Sequence, residues 1–117
     1  MSDIEQEIKA KGLTGPRITP EDLGANIASE WYFTAADGVF SAPAGNTAAE
    51  TPLPLSLLTF CVLVLKNGFT VTGESACASP ENFDAEIGRK IARANAVQKI
   101  WPLMGYALRS KLSRGEA

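Results

Sequence analysis

The sequence predicts an α+β domain in which a small antiparallel sheet packs with N-terminal helices and a long, proline-kinked C-terminal helix. Three observations carry this prediction: a hairpin signal at Asn67-Gly68, a helix start at Thr19-Pro20, and a helical pattern that follows Ser79. A chain of 117 residues has room for one hydrophobic core, so we expect a single domain over residues 1–117.

Two helices are predicted before the sheet. Residues 3–10 have the pattern of a short amphipathic helix. In the second, Thr19 is a plausible N-cap, Pro20 suits the first helical position, and Asp22 stands where a capping-box acid belongs. We expect this helix to cover about residues 20–30.

The sheet is predicted from three β-rich runs. Residues 31–34 are aromatic and β-branched and end at a turn signal, Asp37-Gly38. Residues 57–65 are apolar on both faces, which is typical of a central strand, and residues 69–76 alternate. We expect the central run to lie between the other two, with its second face covered by a helix or by another subunit.

The Asn67-Gly68 pair favours a two-residue type I′ turn, which would set the register of the hairpin. That register pairs Lys66 with Phe69, Val64 with Val71, Val62 with Gly73, and Phe60 with Ser75. It also puts Cys61 and Cys77 on opposite faces, so no disulfide is expected between them.

The remaining segments are an insertion and a last helix. Residues 38–56 are rich in Ala, Gly, Pro and Thr, which predicts a flexible insertion within the domain. In the last helix Ser79 is the expected N-cap and Pro80 the first position, and Pro102 should kink or split it. The apolar residues with helical spacing are Phe83, Ile87, Ile91, Ala94, Trp101 and Leu108. The expected element order is α-α-β-β-β-α.

Composition narrows the chemistry. The chain has no histidine, which removes the usual general base and the commonest metal ligand, and its two cysteines cannot complete a zinc site. We therefore expect no enzyme, no cofactor and no metal. The polar N-terminus and the lack of a long apolar run predict no signal peptide and no membrane span.

Charge is unevenly distributed along the chain. Residues 1–86 contain twelve acids and four bases, whereas residues 87–115 contain seven bases and no acid. One reading is an anionic partner, and the other is that the acidic part packs against the basic part within or between chains. Nucleic acid is a weaker candidate because the chain is acidic overall and the basic stretch has few aromatic residues.

The candidate binding site lies on the last helix. Arg89, Arg93 and Lys99 are the residues expected to meet phosphate, since arginine forks bind phosphate bidentately. Asn82 would offer amide hydrogen bonds, and Phe69 or Phe83 would stack on a base. The alternative is a solvated face, because Glu86 is placed to partner Arg89 and Lys90, and the aromatics would then be core.

Two runs carry a family resemblance: LKNGFTVTGESACASPENFDAEIGRKIA and KIWPLMGYALRSKL. With them the chain resembles small tailed-phage proteins of the gene product forty-nine and sixty-six type. The matching core is residues 57–112, with a looser match at SEWYFTAADG. This family is similar to the type-one Thoeris anti-defence proteins, which sequester cyclic nucleotide signals of bacterial immunity.

The resemblance implies a non-enzymatic signal sponge in the cytoplasm of the infected host. It would bind cyclic ADP-ribose isomers or cyclic oligonucleotides and assemble as a homo-oligomer, either a dimer or an assembly of dimers. The double-faced apolar strand independently favours a homo-oligomer. The competing functions are a phage protein–protein adaptor or structural accessory, and a weak single-stranded nucleic-acid binder.

Overall fold

A three-stranded antiparallel sheet with the order β1-β2-β3 forms the centre of the molecule. The computed structural model describes residues 2–41 and 51–116. The strands are β1 (Ile27–Thr34), β2 (Leu58–Leu65) and β3 (Thr70–Ala76). The predicted central position of the apolar strand is therefore confirmed.

Four α-helices accompany the sheet in the described part of the chain. They are α1 (Ser2–Ala10), α2 (Pro20–Ala25), α3 (Ala35–Ser41) and α4 (Ala85–Ser113), and short 3₁₀ turns cover Leu53–Leu57 and Pro80–Asn82. The α+β class is confirmed. The order differs from the prediction because α3 follows β1.

The start of α2 is as predicted, whereas its end comes earlier. The Thr19 hydroxyl accepts from the Asp22 N–H and the Asp22 carboxylate accepts from the Thr19 N–H, so the capping box is complete. The helix stops at Ala25 because Ile27 already pairs with Leu65 in the sheet. Residues 27–30, which their spacing assigned to the helix, therefore belong to strand β1.

The predicted turn at Asp37-Gly38 is wrong, because these residues lie inside α3. The Thr34 hydroxyl accepts from the Asp37 N–H and the Asp37 carboxylate accepts from the Thr34 N–H. This is a second reciprocal cap of the Thr-x-x-acid type. The predicted flexible insertion at 38–56 accordingly begins inside a helix and ends inside a 3₁₀ turn, and residues 42–50 lie outside the described chain.

The hairpin between β2 and β3 has a three-residue loop, so the predicted register was wrong by one residue. The Leu65 N–H donates to the Phe69 carbonyl and the Gly68 N–H to the Leu65 carbonyl, with Gly68 at φ 90°. Lys66 is the first residue of the loop, and its N–H donates to the Asn26 carbonyl, just before β1, at 2.9 Å.

The corrected pairs are Val64 with Thr70, Leu63 with Val71, Cys61 with Gly73, and Thr59 with Ser75. The predicted opposite faces for Cys61 and Cys77 therefore rested on a wrong register. Both thiols are nevertheless free, as expected: Cys61 is buried and the Cys77 Sγ–H donates to the Ser79 carbonyl.

The last helix begins later than predicted. Ser79 makes no side-chain cap, Pro80 opens a 3₁₀ turn, and Asp84 is the N-cap of α4, accepting from the Ile87 N–H. The helix then continues through Pro102 without splitting. None of the helices in residues 2–41 and 51–116 is both long enough and apolar enough to span a membrane.

Mostly small residues pack α4 onto the sheet, and of the large ones predicted for this role Trp101 packs against the core. The buried positions are Gly88, Ala92, Ala96 and Ile100, whereas Ile87 and Ile91 are about half exposed. A Cβ on Gly73 would lie 2.2 Å from the Ala92 carbonyl oxygen. The helix backbone therefore touches the β3 backbone, which leaves space only for small side chains.

The two faces of the sheet differ in their cover. Thr59, Cys61, Leu63 and Leu65 of β2 are buried under α4. The opposite face, here called the open face, carries Trp31, Phe33, Phe60, Val62 and Val64. α3 lies near the Phe33 end, where the Phe33 and Phe60 rings stack at 5.4 Å, but Trp31 remains 60% exposed.

Candidate functional site

A pocket of about 120 Å³ opens where the end of β1, the start of α3 and the first turns of α4 meet. It brings together two residues of the predicted site, Phe83 and Arg89, with two aromatic residues of β1. The complete lining is Tyr32, Phe33, Thr34, Asp37, Thr59, Phe83, Ala85 and Arg89. An arginine among aromatic rings and hydroxyls suits a small anionic group attached to a planar one.

Arg89 supplies the positive charge of this pocket. The predicted competitor, Glu86, instead pairs with Lys90 at 3.2 Å, one turn along the helix surface. Within the described residues Arg89 has no acidic partner at ion-pair distance, although the carboxylate of Asp37 lines the same pocket. The Asp37 carboxylate already accepts from the Thr34 N–H, as part of the reciprocal cap at the start of α3.

Arg93, the next arginine on this helix, is bound by a residue of the sheet. Its Nε donates to the Glu30 carboxylate at 3.0 Å, and the Tyr32 hydroxyl donates to the other oxygen of Glu30 at 2.8 Å. These contacts, the Tyr32 bond first and then Arg93, lower the pKa of Glu30 below its ordinary value. The two terminal nitrogens of Arg93 donate to no group in residues 2–41 or 51–116.

The titratable groups Tyr32 and Cys61, beside the Glu30–Arg93 pair, remain uncharged. Burial, together with the bond to Glu30, raises the pKa of Tyr32, so its hydroxyl stays protonated and acts as a donor. Burial also raises the pKa of the fully buried Cys61 thiol. Cys61 therefore stays neutral and has the character of a structural rather than a nucleophilic cysteine.

Asn82 lines a different pocket, of about 230 Å³, on the other side of Phe83. This second pocket lies between the end of β3 and the first turns of α4, where it includes Cys77, Ile87 and Ile91. The half-buried Phe83 ring lines both pockets and thus separates Asn82 from Arg89.

Two predicted site residues lie elsewhere. Phe69 is 56% exposed at the hairpin loop, at the opposite end of β3 from Asn82. Lys99 is exposed and lies ten residues after Arg89 on α4, about 15 Å along the helix axis. Within one chain the predicted set therefore divides into a group at the start of α4 and two separate outliers.

Sequence reasoning missed the contribution of β1 and α3. Glu30 and Tyr32 hold Arg93, and Thr34 and Asp37 line the pocket of Arg89. Two signals in the sequence pointed to them: the alternation of Glu30, Tyr32 and Thr34 on one strand face, and the Thr-x-x-Asp cap at Thr34. No cluster of three or more metal-ligating side chains occurs among the described residues.

Comparison with known proteins gives a family and no closer relative. No curated protein and no solved structure matches the chain. A family model matches residues 18–112, which extends the expected core at 57–112 towards the N-terminus through α2, β1 and α3. The chain therefore belongs to the phage protein (N4 Gp49/phage Sf6 gene 66) family.

Proposed function

We propose that this phage protein is a non-enzymatic binding protein that sequesters cyclic nucleotide immune signals, and so counters bacterial anti-phage defence. The ligands would be cyclic ADP-ribose isomers or cyclic oligonucleotides, met in the cytoplasm of the infected host. The observation that carries the proposal is the pocket in which Arg89, which has no acidic partner among the described residues, lies with the rings of Tyr32 and Phe83. Arginine and aromatic rings are the groups that phosphate and bases prefer.

The size of the pocket limits what one chain would hold. Its volume of about 120 Å³ lies below the roughly 300–1,000 Å³ typical of small-molecule sites. It suits one phosphate or one edge of a nucleotide, and the free nitrogens of Arg93 would bind a second phosphate. The remainder of the ligand would lie outside this pocket.

Direct titration tests the proposal. The protein is titrated calorimetrically with a panel of cyclic oligonucleotides and cyclic ADP-ribose isomers, then heated to release what it holds. We expect a bound nucleotide to be recovered chemically intact, since a sponge does not turn its ligand over. An altered nucleotide would indicate an enzyme instead.

Arg89→Ala identifies the pocket. A charge-assisted hydrogen bond contributes about 1.5–3 kcal/mol, so we expect the substitution to weaken binding by roughly ten- to a hundredfold. Lys90→Ala is the matched control, because Lys90 is the neighbouring base and pairs with Glu86 on the exposed side of α4. Full affinity in both Arg89→Ala and Arg93→Ala would show that the basic face is solvated surface.

The open face supports a second candidate, a protein–protein adaptor. Trp31 is 60% exposed beside Val62 on a sheet face that the described helices leave largely uncovered. Large exposed aromatic residues are enriched at protein interfaces. Absence of binding to every nucleotide in the panel would favour the adaptor.

A further inference from the structure

A groove of about 530 Å³ lies between α2 and the C-terminal half of α4, lined by none of the residues of the two smaller pockets. Asp22 also lines it, but its carboxylate accepts from the Thr19 N–H in the capping box of α2. Neither lysine at the groove has an acidic partner in residues 2–41 or 51–116. The large apolar residues that line the groove are Ile18, Met104 and Leu108, and its two lysines are Lys66 and Lys111.

The helix α1 has a surface that matches this groove. Ile4 and Ile8 lie one turn apart on one side, and Ile4 is 70% exposed. The helix ends in a Schellman motif at Gly12, which places the 58% exposed Leu13 after the same side. Its charged residues are mostly acidic, with three acids and one base between residues 2 and 10.

In its own chain α1 stands apart from the groove. The two terminal nitrogens of Arg17 donate to the two carboxylate oxygens of Glu5, each at 2.8 Å, which ties α1 to the loop before α2. α1 packs extensively against no other helix or strand of the described chain, and no residue of α1 lines the groove. Within residues 2–41 and 51–116, the apolar side of α1 and the groove therefore both lack a helix or strand packed on them.

We propose that α1 of a second copy of this chain docks in the groove between α2 and α4. Ile4 and Ile8 would be the anchors on the floor formed by Met104 and Leu108, as in other complexes of an amphipathic helix with a groove. The acids of α1 would face Lys66 and Lys111. This contact lies on the opposite side of α4's midpoint from the Arg89 pocket and does not depend on any nucleotide.

Charge makes the pairing selective. A neutral apolar helix would fill the floor equally well, but the acidic residues of α1 match the two lysines, which form no ion pair with any described residue. Exposed charges interact weakly beyond a Debye length of about 10 Å at 0.1 M salt. The contact is therefore expected to weaken as salt concentration rises.

Disulfide trapping in the full-length chain tests the proposal. One copy carries Ile4→Cys and a second, differently tagged copy carries Leu108→Cys, both with Cys77→Ser so that the buried Cys61 is the remaining native thiol. The two are mixed under mild oxidation, and the disulfide-linked heterodimer is measured on a non-reducing gel. Gln6→Cys replaces Ile4→Cys in the control, since Gln6 lies about 200° around the helix from Ile4.

We expect the Ile4→Cys pair to cross-link several-fold more than the Gln6→Cys pair, and the excess to fall at high salt. Equal yields from the two pairs would overturn the proposal. So would a single chain bearing both Ile4→Cys and Leu108→Cys that closes an internal disulfide at all dilutions, because α1 would then fill its own groove.

Discussion

The carboxylate of Glu30 accepts one hydrogen bond from Tyr32 and another from Arg93, so it links the sheet to the basic helix. Along the sequence these groups are 63 residues apart at their widest. This pair agrees with one of the two interpretations of the charge asymmetry, in which acids of residues 1–86 neutralise bases of residues 87–115. It does so at Arg93 and leaves Arg89 available.

Replacing Glu30 with Gln should make the protein less sensitive to acid. The folded-state pKa of Glu30 lies below its ordinary 4.5, so the folded protein binds this proton more weakly than the unfolded chain. The stability that the ionised Glu30 carboxylate adds to the fold is present above pH 4.5 and is lost as the pH falls through the lower folded pKa. We expect the free energy of unfolding to fall less steeply in Glu30→Gln over this window, measured by urea denaturation.

The size of this effect is limited because both partners are about 40% exposed, and such pairs contribute less than about 1 kcal/mol. Glu86→Gln is the control, since Glu86 forms only an exposed pair with Lys90. Identical acid profiles for wild type and Glu30→Gln would show that the Arg93 pair adds nothing to stability.

At the scale of elements, the contact of α4 with β3 positions the candidate site. Gly73 on the strand faces Ala92 and Ala96 on the helix, so the two backbones touch where most helices would be held off by side chains. This close approach brings Arg93 within reach of Glu30 and places Arg89 above the end of β1. The geometry of the pocket therefore depends on a residue without a side chain.

Gly73→Ala should destabilise the fold strongly. Its Cβ would lie 2.2 Å from backbone atoms of both Ala92 and Ala96, so the helix would have to move away from the sheet. Overpacking of this kind costs about 1–3 kcal/mol or more. The free energy of unfolding in urea measures the loss.

Gly105→Ala is the matched control, on the helix α4 that Gly73 contacts. A Cβ there would meet nothing within 4 Å, and alanine is favoured over glycine in a helix interior by about 1 kcal/mol. We expect this variant to be equal to or more stable than wild type. A Gly73→Ala variant that unfolds at the wild-type urea concentration would contradict the backbone contact between β3 and α4.

At the scale of the whole molecule, the chain is elongated. Its radius of gyration is 18.5 Å, with extents of 57 × 31 × 17 Å, whereas a compact domain of this length has a radius of about 13 Å. α4 continues for thirteen residues past Ile100, the last of its buried positions. An extended shape with an uncovered sheet face is typical of a subunit, which supports the proposal of a homo-oligomer.

Trp31→Glu should reduce the molecular mass in solution. The open face would lose its largest apolar side chain, which is 60% exposed. Association of two copies through this face would then bring two added carboxylates, one from each copy, into the interface. Light scattering coupled to size exclusion at micromolar concentration measures the mass, with Ala94→Glu on the exposed side of α4 as control. A wild-type chain that is monomeric under these conditions would contradict the proposed oligomer.

The sequence by itself determined the class of the fold, the central place of β2 and the capping box at Thr19. Each of these depends on local chemistry: alternation, apolar content, or a cap within four residues. It also indicated that Arg89 and Phe83 lie close together, because Phe83 lies just before α4 and Arg89 lies in the first turns of that helix.

Only the tertiary structure decided the register, the buried side of α4 and the partner of Arg93. The Lys66 N–H donates to the Asn26 carbonyl beside β1 and not to the Phe69 carbonyl, which a two-residue Asn67-Gly68 loop would require. The small side of α4 is buried because Gly73 lets the backbones touch, which hydrophobicity does not report. Glu30 reaches Arg93 only after sheet and helix have packed, since no local pattern couples residues so far apart in the chain.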